Sequence, residues 1–247
     1  MPARPTVAYV HGVGLDHSLW DEVRAQGDAP PSFTYDLLGH GMNSDVRPRN
    51  LADFVAQLDT ELDSAGLGVV DLVGFSLGAL VAQGFAAAEP HRVRRLVLVN
   101  PVFDRTPEER AAIVERVGVV RAGGYAASVD QALSRWFSPA VVQRCGPRIE
   151  AIRRQMLAND VEAYADAYYV FATGDAELVS TPPLIAAPTL VVTGSDDPRS
   201  TPAMALALAQ ALPSGQARII RGARHMTPVE TPGTLGVLIS RFLEESP

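Results

Sequence analysis

A serine lies between two glycines in the pentapeptide Gly74-Phe75-Ser76-Leu77-Gly78, which follows an apolar run and precedes an Ala-rich helical pattern. A nucleophilic serine must project its hydroxyl clear of the backbone, and a very tight strand-to-helix turn achieves this. Such a turn crowds its neighbours, so Gly74 and Gly78 remove side chains where Cβ atoms would collide. The helix that begins there aims its N–H groups at an oxyanion forming beside Ser76. The pentapeptide predicts a serine nucleophile; the alternative is a glycine-rich turn with an incidental serine.

A serine hydroxyl needs a base to take its proton, and a histidine is the expected base. His225 is the best placed of the five histidines, because it follows the last predicted strand in the segment Gly222-Ala223-Arg224-His225-Met226. The other histidines lie in predicted loops, a Gly-His-Gly turn and a helix-to-strand connection: His11, His17, His40 and His91. We predict His225 as the general base; the alternative is a solvated loop histidine.

Two adjacent aspartates, Asp196 and Asp197, follow the preceding predicted strand. A catalytic histidine needs a carboxylate that selects its tautomer and stabilises the imidazolium. We favour Asp197 for this role and interpret Asp196 as a turn or helix-capping residue, although the spacing alone leaves the reverse open. The resulting chain order, Ser76, Asp197, His225, is typical of one serine hydrolase architecture and needs no metal or other cofactor.

The loop His11-Gly12-Val13-Gly14 ends the first predicted strand. A small loop at this place can point the Val13 N–H inward, beside the Leu77 N–H. The two amides would then form an oxyanion hole. Because backbone groups do this work, side-chain identity gives little support, and a turn without a catalytic part is the alternative.

The elements that must position these residues are read from the periodicity of apolar residues. Short apolar runs between turn signals predict six strands, at residues 7–10, 33–35, 69–73, 93–99, 189–192 and 217–220. The third and fourth are nearly continuous in Val and Leu, which favours central parallel strands covered on both faces. Helical patterns alternate with them, at residues 51–63, 77–88, 202–211 and 234–243. We predict an α/β fold with a doubly wound, mainly parallel sheet of about six strands.

A stretch of helical patterns without a convincing strand interrupts this alternation after the fourth strand. Its clearest helices are predicted at residues 108–120 and 148–158. We predict a helical cap over the active site at residues 104–180, and a core formed by residues 1–103 and 181–247. The alternative is an ordinary helical excursion beside the sheet. The segment Thr181-Pro182-Pro183 is interpreted as the connection back to the sheet.

The composition excludes several classes of protein. The 247 residues are 47% hydrophobic and 20% charged, which suits one large globular domain and rules out global disorder. A net charge of −7 provides no basic surface for nucleic acid or an anionic membrane. Cys145 is the one cysteine, so no internal disulfide or Cys-based metal site is expected. With no spanning apolar run and no signal-peptide pattern, we expect a cytoplasmic monomer or homodimer with a small-molecule substrate, no cofactor and no metal.

Several motifs together resemble the α/β-hydrolase superfamily over essentially the whole chain. They are the serine pentapeptide, the His11-Gly12-x-Gly14 loop, Gly194-x-x-Asp197 and His225-x4-Glu230-x-Pro232. Within that superfamily, stretches of the predicted cap are similar to 3-oxoadipate enol-lactonases: Gly124-Tyr125-Ala126, Arg135-Trp136-Phe137-Ser138-Pro139 and residues 158–164. The resemblance implies hydrolysis of a small lactone that carries carboxylate groups, with Arg135 and Trp136 reaching the substrate. The alternative is an aromatic core residue beside a solvated arginine.

Two features of the sequence depart from the usual pattern of that superfamily. The chain enters the first parallel strand at Val7 without the usual two-stranded hairpin, which predicts a sheet with an exposed or partner-covered edge. The turn Gly39-His40-Gly41-Met42-Asn43-Ser44 is one residue longer than the usual Gly-His-Gly-x-Ser. Neither feature touches the predicted triad.

The preferred hypothesis is a cofactor-free serine hydrolase that cleaves a small ester or lactone similar to 3-oxoadipate enol-lactone. A generic carboxylesterase and a C–C bond hydrolase of aromatic ring-cleavage products stay open, as do haloperoxidase-like and lyase activities on the same triad. A receptor of the same fold that binds a small ligand under the cap is the alternative of another class. Steady multiple turnover would exclude the receptor.

Overall fold

The computed structural model describes residues 4–26 and 30–245. The ends of the predicted core, at residues 1 and 247, lie outside these described residues. The strands are β1 (Val7–Val10), β2 (Ser32–Thr34), β3 (Val70–Phe75), β4 (Val93–Val99), β5 (Thr189–Gly194) and β6 (Gly215–Ile220). The helices are α1 (Asp21–Arg24), α2 (Leu51–Ser64), α3 (Leu77–Ala88), α4 (Pro107–Val119), α5 (Tyr125–Trp136), α6 (Pro139–Ala158), α7 (Val161–Thr173), α8 (Asp175–Leu178), α9 (Pro202–Ala211), α10 (Thr227–Glu230) and α11 (Pro232–Glu244).

The six strands form one sheet in the order β2-β1-β3-β4-β5-β6, and every neighbouring pair is parallel. The predicted doubly wound parallel sheet is therefore confirmed. The side chains of β3 are all buried, as are those of β4 except one half-buried arginine. Such burial explains why these two strands are nearly continuous runs of apolar residues. The sheet ends in β2, with half-buried side chains, and in β6, where Arg218 and Ile219 are exposed.

The strand ends depend on pairing more than on apolarity. The prediction ended the third strand at residue 73, whereas β3 continues through Gly74 and Phe75, which lie opposite Leu98 and Val99 of β4. The prediction also began the sixth strand at residue 217, but β6 begins at Gly215, opposite Thr189. A parallel neighbour supplies hydrogen bonds to polar and glycine residues as readily as to valine.

Residues 104–180 contain helices and no strand, and they connect β4 to β5 as predicted. The helix predicted at 148–158 is longer and begins at Pro139, where the Ser138 hydroxyl accepts a hydrogen bond from the Val141 N–H at 3.3 Å. Its early part escaped prediction because Pro147 and the non-helical backbone of Cys145 (φ −114°, ψ 18°) kink the helix and interrupt its periodicity. We keep the name predicted cap for residues 104–180.

Contacts from α6 tie the predicted cap to the loops at the strand ends. Asn159, at the carboxyl end of α6, accepts a hydrogen bond from the Gly41 N–H at 3.2 Å and donates one to the Gly14 carbonyl at 3.3 Å. Arg148 donates to the Ser18 carbonyl at 3.1 Å. In the described parts of the chain, no helix has the length and apolarity to cross a membrane.

Candidate active site

Ser76 stands on a strained turn between β3 and α3. Its backbone has φ 54° and ψ −110°, a conformation that costs a non-glycine residue on the order of 1–3 kcal/mol. A Cβ at Gly74 would collide with the Gly78 carbonyl, and a Cβ at Gly78 would collide with the carbonyl oxygens of Val10 and His11. Both glycines are therefore required by close backbone approach, as the sequence predicted.

The structure brings Ser76, His225 and Asp197 together from three distant parts of the chain. The Ser76 Oγ lies 3.3 Å from the His225 Nε2, and the His225 Nδ1 lies 2.7 Å from the Asp197 Oδ2. These side chains belong to residues that are only 2%, 6% and 3% exposed, respectively. With Nδ1–H donating to the carboxylate, Nε2 is the nitrogen that faces the serine hydroxyl and can accept its proton.

The two adjacent aspartates have different environments. The Asp197 Oδ1 accepts hydrogen bonds from the N–H groups of Arg199 at 2.9 Å and Ser200 at 3.0 Å. Burial alone would raise the pKa of Asp197, but His225 and these two N–H groups outweigh it and hold the pKa below its ordinary value. Asp196 is exposed, and its carboxylate accepts a hydrogen bond from the Ser195 hydroxyl at 2.7 Å. Asp197, and not Asp196, therefore contacts the histidine.

One predicted oxyanion-hole residue directly follows Ser76, and the other lines the same cleft as Ser76. Leu77 is the first residue of α3, and Val13 lines the cleft that Ser76 faces. A Cβ at Gly12 would lie 2.7 Å from the Phe75 ring and 3.2 Å from the Ser76 Cβ, so this loop approaches the serine turn closely. Across the described ranges, no hydrogen bond is recorded from the N–H of Val13 or Leu77. Both amides are thus available to an oxygen beside Ser76.

Asn100 belongs to this site, although the sequence reasoning missed it. It directly follows β4 with a left-handed backbone (φ 46°). Its Nδ2 donates to the Asp197 Oδ2 at 2.9 Å, and its Oδ1 accepts from the Thr227 hydroxyl at 2.6 Å. A buried polar residue at the carboxyl end of a central strand was the signal available in the sequence.

Glu230 supports the loop that carries His225. Its carboxylate accepts hydrogen bonds from the Arg224 N–H at 3.1 Å and from the Met226 N–H at 3.2 Å, the two neighbours of the histidine. Burial raises the pKa of Glu230 above its ordinary value. In the motif His225-x4-Glu230, the Glu230 carboxylate thus holds the backbone N–H groups of the residues before and after His225.

A cleft with about 860 Å³ of empty space, its open mouth included, lies between the serine turn and the predicted cap. Ser76 and His225 form part of its wall, and Arg135 and Trp136 of α5 form another part. The Trp136 ring centroid lies 5.8 Å from that of His225. The two residues singled out by resemblance therefore face the same space as the serine, which disfavours their alternative as a core residue and a solvated arginine.

Further arginines on the cleft wall were not predicted: Arg105, Arg116 and Arg199. Arg105 donates to the Phe171 carbonyl at 2.8 Å, and its guanidinium lies 3.4 Å from the Asp175 carboxylate. Burial lowers the pKa of Arg105 to about 10. Arg199 could have been suspected, because it follows the predicted acid by two positions; Arg105 and Arg116 had no such signal.

The other buried histidines have structural partners. The His11 Nδ1 donates to the Gly12 carbonyl at 2.8 Å, while its Nε2 accepts from the Leu37 N–H at 2.9 Å. The His40 Nδ1 donates to the Leu38 carbonyl at 2.8 Å, and burial lowers the pKa of His40 to about 3. Among residues 4–26 and 30–245, no group of three or more His, Cys, Asp or Glu side chains is arranged to hold a metal ion.

Comparisons with known proteins agree with this geometry. A model described as the alpha/beta hydrolase family matches residues 7–235. The chain is 28% identical over 240 residues to the (E)-2-((N-methylformamido)methylene)succinate hydrolase of Acinetobacter baylyi, covering 96% of this chain and 90% of that protein. It is 26% identical over 233 residues to 3-oxoadipate enol-lactonase 2 of the same organism, covering 93% of this chain and 85% of that protein. The crystal structure of the enol-lactonase from Burkholderia xenovorans LB400 superposes with a TM-score of 0.89 at 26% identity, covering 99% of this chain and 93% of that one.

Proposed function

The chain belongs to the alpha/beta hydrolase family, and we propose that it is a cofactor-free serine hydrolase that cleaves small esters or lactones carrying a carboxylate. The observation that carries the proposal is the hydrogen-bonded series from Ser76 through His225 to Asp197, at 3.3 Å and 2.7 Å. A nucleophile, a base and a residue that orients the base are the parts that acyl transfer requires.

In the proposed reaction, the His225 Nε2 takes the proton of the Ser76 hydroxyl as the Ser76 Oγ attacks the substrate carbonyl carbon. The carbonyl oxygen becomes an oxyanion, which accepts hydrogen bonds from the N–H groups of Val13 and Leu77. The protonated His225 then gives its proton to the departing oxygen, and an acyl-enzyme remains on Ser76. In a lactone this departing oxygen stays attached to the acyl chain. Water, deprotonated by His225, attacks the acyl-enzyme and releases a carboxylic acid.

Two observations support a carboxylate on the substrate. Arginines from two sides of the cleft line the space beside Ser76, and a guanidinium can hold a carboxylate through two parallel hydrogen bonds. The relatives include enol-lactonases, so a lactone similar to 3-oxoadipate enol-lactone is the first candidate. The succinate hydrolase relative, which matches over 96% of the chain, makes a formamide of a succinate the second candidate. That compound has an amide carbonyl in place of the ester or lactone carbonyl, and nitrogen would then be the departing atom.

The remaining expectations are part of the same proposal. Residues 104–180 act as a cap that closes the substrate space, because residues of α4, α5 and α7 line the cleft opposite Ser76. The enzyme works in the cytoplasm as a monomer or homodimer, with a small molecule as its partner and neither nucleic acid nor a membrane surface.

Covalent labelling and turnover test the proposal together. A fluorophosphonate is expected to label Ser76 in the parent protein, as located by mass spectrometry, and to leave Ser76→Ala unlabelled. Turnover of p-nitrophenyl acetate and of enol-lactones should fall by about 10³-fold or more in Ser76→Ala with the fold intact. Labelling at another serine would remove the mechanism. Binding of small ligands without multiple turnover of any ester or lactone would favour the receptor instead.

A further inference from the structure

Three arginines on the cleft wall, Arg116, Arg135 and Arg199, lack an acidic partner. In the described parts of the chain, no carboxylate oxygen is recorded within 4.0 Å of their guanidinium nitrogens. The recorded hydrogen bond from these guanidinium groups runs from the Arg116 Nε to the Tyr168 hydroxyl, at 3.1 Å. Most of the hydrogen-bonding capacity of the three groups is therefore directed at the cleft or at solvent.

Three arginines with a bracing role in the same region are neutralised, although a fourth, Arg224, donates to the Phe137 carbonyl at 3.0 Å and has no recorded carboxylate partner among the described residues. Arg105 and Arg110 share the buried carboxylate of Asp175, and Arg110 contacts it at 3.2 Å and 3.0 Å through two nitrogens. Arg121 pairs with Asp166 at 2.5 Å on the outer face of the predicted cap. A buried guanidinium that only supports packing is stabilised by a nearby carboxylate. Arg105, Arg110 and Arg121 each have such a carboxylate, whereas Arg116, Arg135 and Arg199 do not.

The carboxylates on the cleft wall cannot neutralise the three arginines. Both oxygens of Asp197 are occupied by the triad and by backbone N–H groups. Glu109 accepts a hydrogen bond from the Thr106 N–H at 2.9 Å, as part of the capping box of α4. Burial lowers the pKa of Arg135, and the charges of Arg116 and Arg199 lower it further. Arg116 and Arg199 therefore lie near enough to Arg135 to act on its charge; Arg116 and Arg135 are half-buried, and Arg199 is exposed.

The three arginines come from two sides of the cleft. Arg116 on α4 and Arg135 on α5 belong to the predicted cap, while Arg199 belongs to the loop after β5, two residues from the triad aspartate. One carboxylate held in a bidentate manner can satisfy one guanidinium, or bridge two neighbouring ones. A single carboxylate held by Arg116 and Arg135 would leave Arg199, on the core side, without a counter-charge.

We infer that the cleft takes a dianionic acyl substrate, with one carboxylate held by Arg116 and Arg135 on the predicted cap and a second held by Arg199 on the core. This inference rests on the proposed function, since the reacting carbonyl is placed at Ser76, and it adds a second carboxylate to the one that function requires. Neutral and monoanionic esters are poorer substrates, because they leave at least one guanidinium in the cleft without a partner. The inference therefore ranks the second candidate, a succinate with two carboxylates, above the enol-lactone, which keeps one free carboxylate.

Binding of inert carboxylates to the Ser76→Ala protein tests the inference without catalysis. Butyrate and succinate have the same carbon count and differ by one carboxylate, so calorimetry at constant ionic strength compares them directly. Succinate is expected to bind at least about tenfold more tightly, since a hydrogen bond between charged groups contributes about 1.5–3 kcal/mol. Equal affinity for the two would overturn the inference.

Variants of the Ser76→Ala protein assign the second carboxylate. Arg199→Gln should abolish the preference for succinate and leave butyrate affinity unchanged, whereas Arg135→Gln should weaken both. Arg154→Gln is the matched control, because Arg154 is an exposed residue of α6 outside the cleft lining, and it should change neither affinity. A preference for succinate that survives Arg199→Gln would overturn the assignment.

The outcomes separate this inference from the proposed function. Ester turnover and a fluorophosphonate adduct on Ser76, together with equal binding of succinate and butyrate, would refute the dianionic substrate and keep the serine hydrolase. Tight succinate binding in a protein that neither hydrolyses esters nor reacts with the fluorophosphonate would refute the hydrolase and keep the dianion site.

Discussion

Asn100 donates a hydrogen bond from its Nδ2 to the Oδ2 of Asp197 at 2.9 Å, the same oxygen that contacts the His225 Nδ1 at 2.7 Å. Its Oδ1 accepts from the hydroxyl of Thr227, which begins the short helix after His225. One buried side chain therefore links the end of β4 to the acid and to the segment that follows the base. We interpret Asn100 as a positioning residue, since it contacts no reacting atom.

Replacing Asn100 with glycine should impair catalysis more than substrate binding. Glycine accepts the φ of 46° without the strain that alanine would add, so the change removes the side chain alone. The loss of a hydrogen bond to a charged group, about 1.5–3 kcal/mol, corresponds to a decrease in kcat of roughly 10- to 150-fold with KM nearly unchanged. The acid limb of the pH–rate profile should also shift. A lower melting temperature with unchanged kcat and pH profile would instead assign Asn100 a structural role alone.

The adjacent aspartates should respond differently to the same substitution. Asp197→Asn removes the carboxylate that selects the His225 tautomer, so kcat should fall by about 10³- to 10⁴-fold. Asp196→Asn is the matched control, because the exposed Asp196 contacts the Ser195 hydroxyl and not the histidine, and its kcat should change less than about twofold. Steady-state kinetics on one ester decides between them, and comparable losses in both variants would contradict the assignment.

Stability at low pH should report the lowered pKa of Asp197. The folded state holds this carboxylate ionised more strongly than the unfolded state, where its pKa is about 3.9. The resulting stabilisation is complete above the unfolded pKa and is lost as the pH falls through the lower folded pKa. The free energy of unfolding of the parent minus that of Asp197→Asn should therefore decrease between about pH 5 and about pH 3, as measured by urea denaturation. If this difference in the free energy of unfolding increased as the pH fell from about 5 to about 3, the lowered pKa of Asp197 would be contradicted.

The serine turn should not tolerate a methyl group at Gly78. Its Cβ would meet the carbonyl oxygens of Val10, the last residue of β1, and of His11, which follows it; backbone atoms there cannot move aside cheaply. We expect Gly78→Ala to lower the free energy of unfolding by about 1–3 kcal/mol or more. Gly118→Ala is the control inside α4, since nothing lies within 4 Å of its Cβ position, and it should be neutral or stabilising by up to about 1 kcal/mol. Similar denaturation midpoints for the two variants would argue against the crowded turn.

Selectivity for anionic substrates should depend on Arg135. Arg135→Gln is expected to lower kcat/KM for an anionic lactone by roughly 10- to 150-fold, the equivalent of a charge-assisted hydrogen bond, and to spare the neutral p-nitrophenyl acetate. The Ser76 reaction treats both carbonyl groups alike, so the difference isolates recognition. Parallel losses on both substrates would show that Arg135 only braces the predicted cap, and no loss on either would remove it from the site.

The residues of the serine turn, the β5 end and the His225 loop could be identified from the sequence because local rules constrain them. Steric crowding needs Gly74 and Gly78 at fixed distances from Ser76, and the alternation of strands and helices orders the acid and base along the chain. The sequence also predicted the helices at 77–88 and 202–211 with the ends that the structure has. For Gly74 and for the two helices, the decisive interactions lie within a few residues of one another. Gly78 is crowded by the distant Val10 and His11, yet the pentapeptide pattern still marks it.

The tertiary structure alone decided which of the two aspartates meets His225, and it alone revealed Asn100 and the cleft arginines other than Arg135. Asn100, Asp197 and Thr227 are far apart in the sequence and meet because β4 and β5 are neighbours in the sheet. Arg116 of α4 and Arg199 of the loop after β5 line the same cleft, although 83 positions separate them in the sequence. Such contacts depend on how helices and strands pack. The spacing of residues along the chain therefore does not show which arginines lack a carboxylate partner.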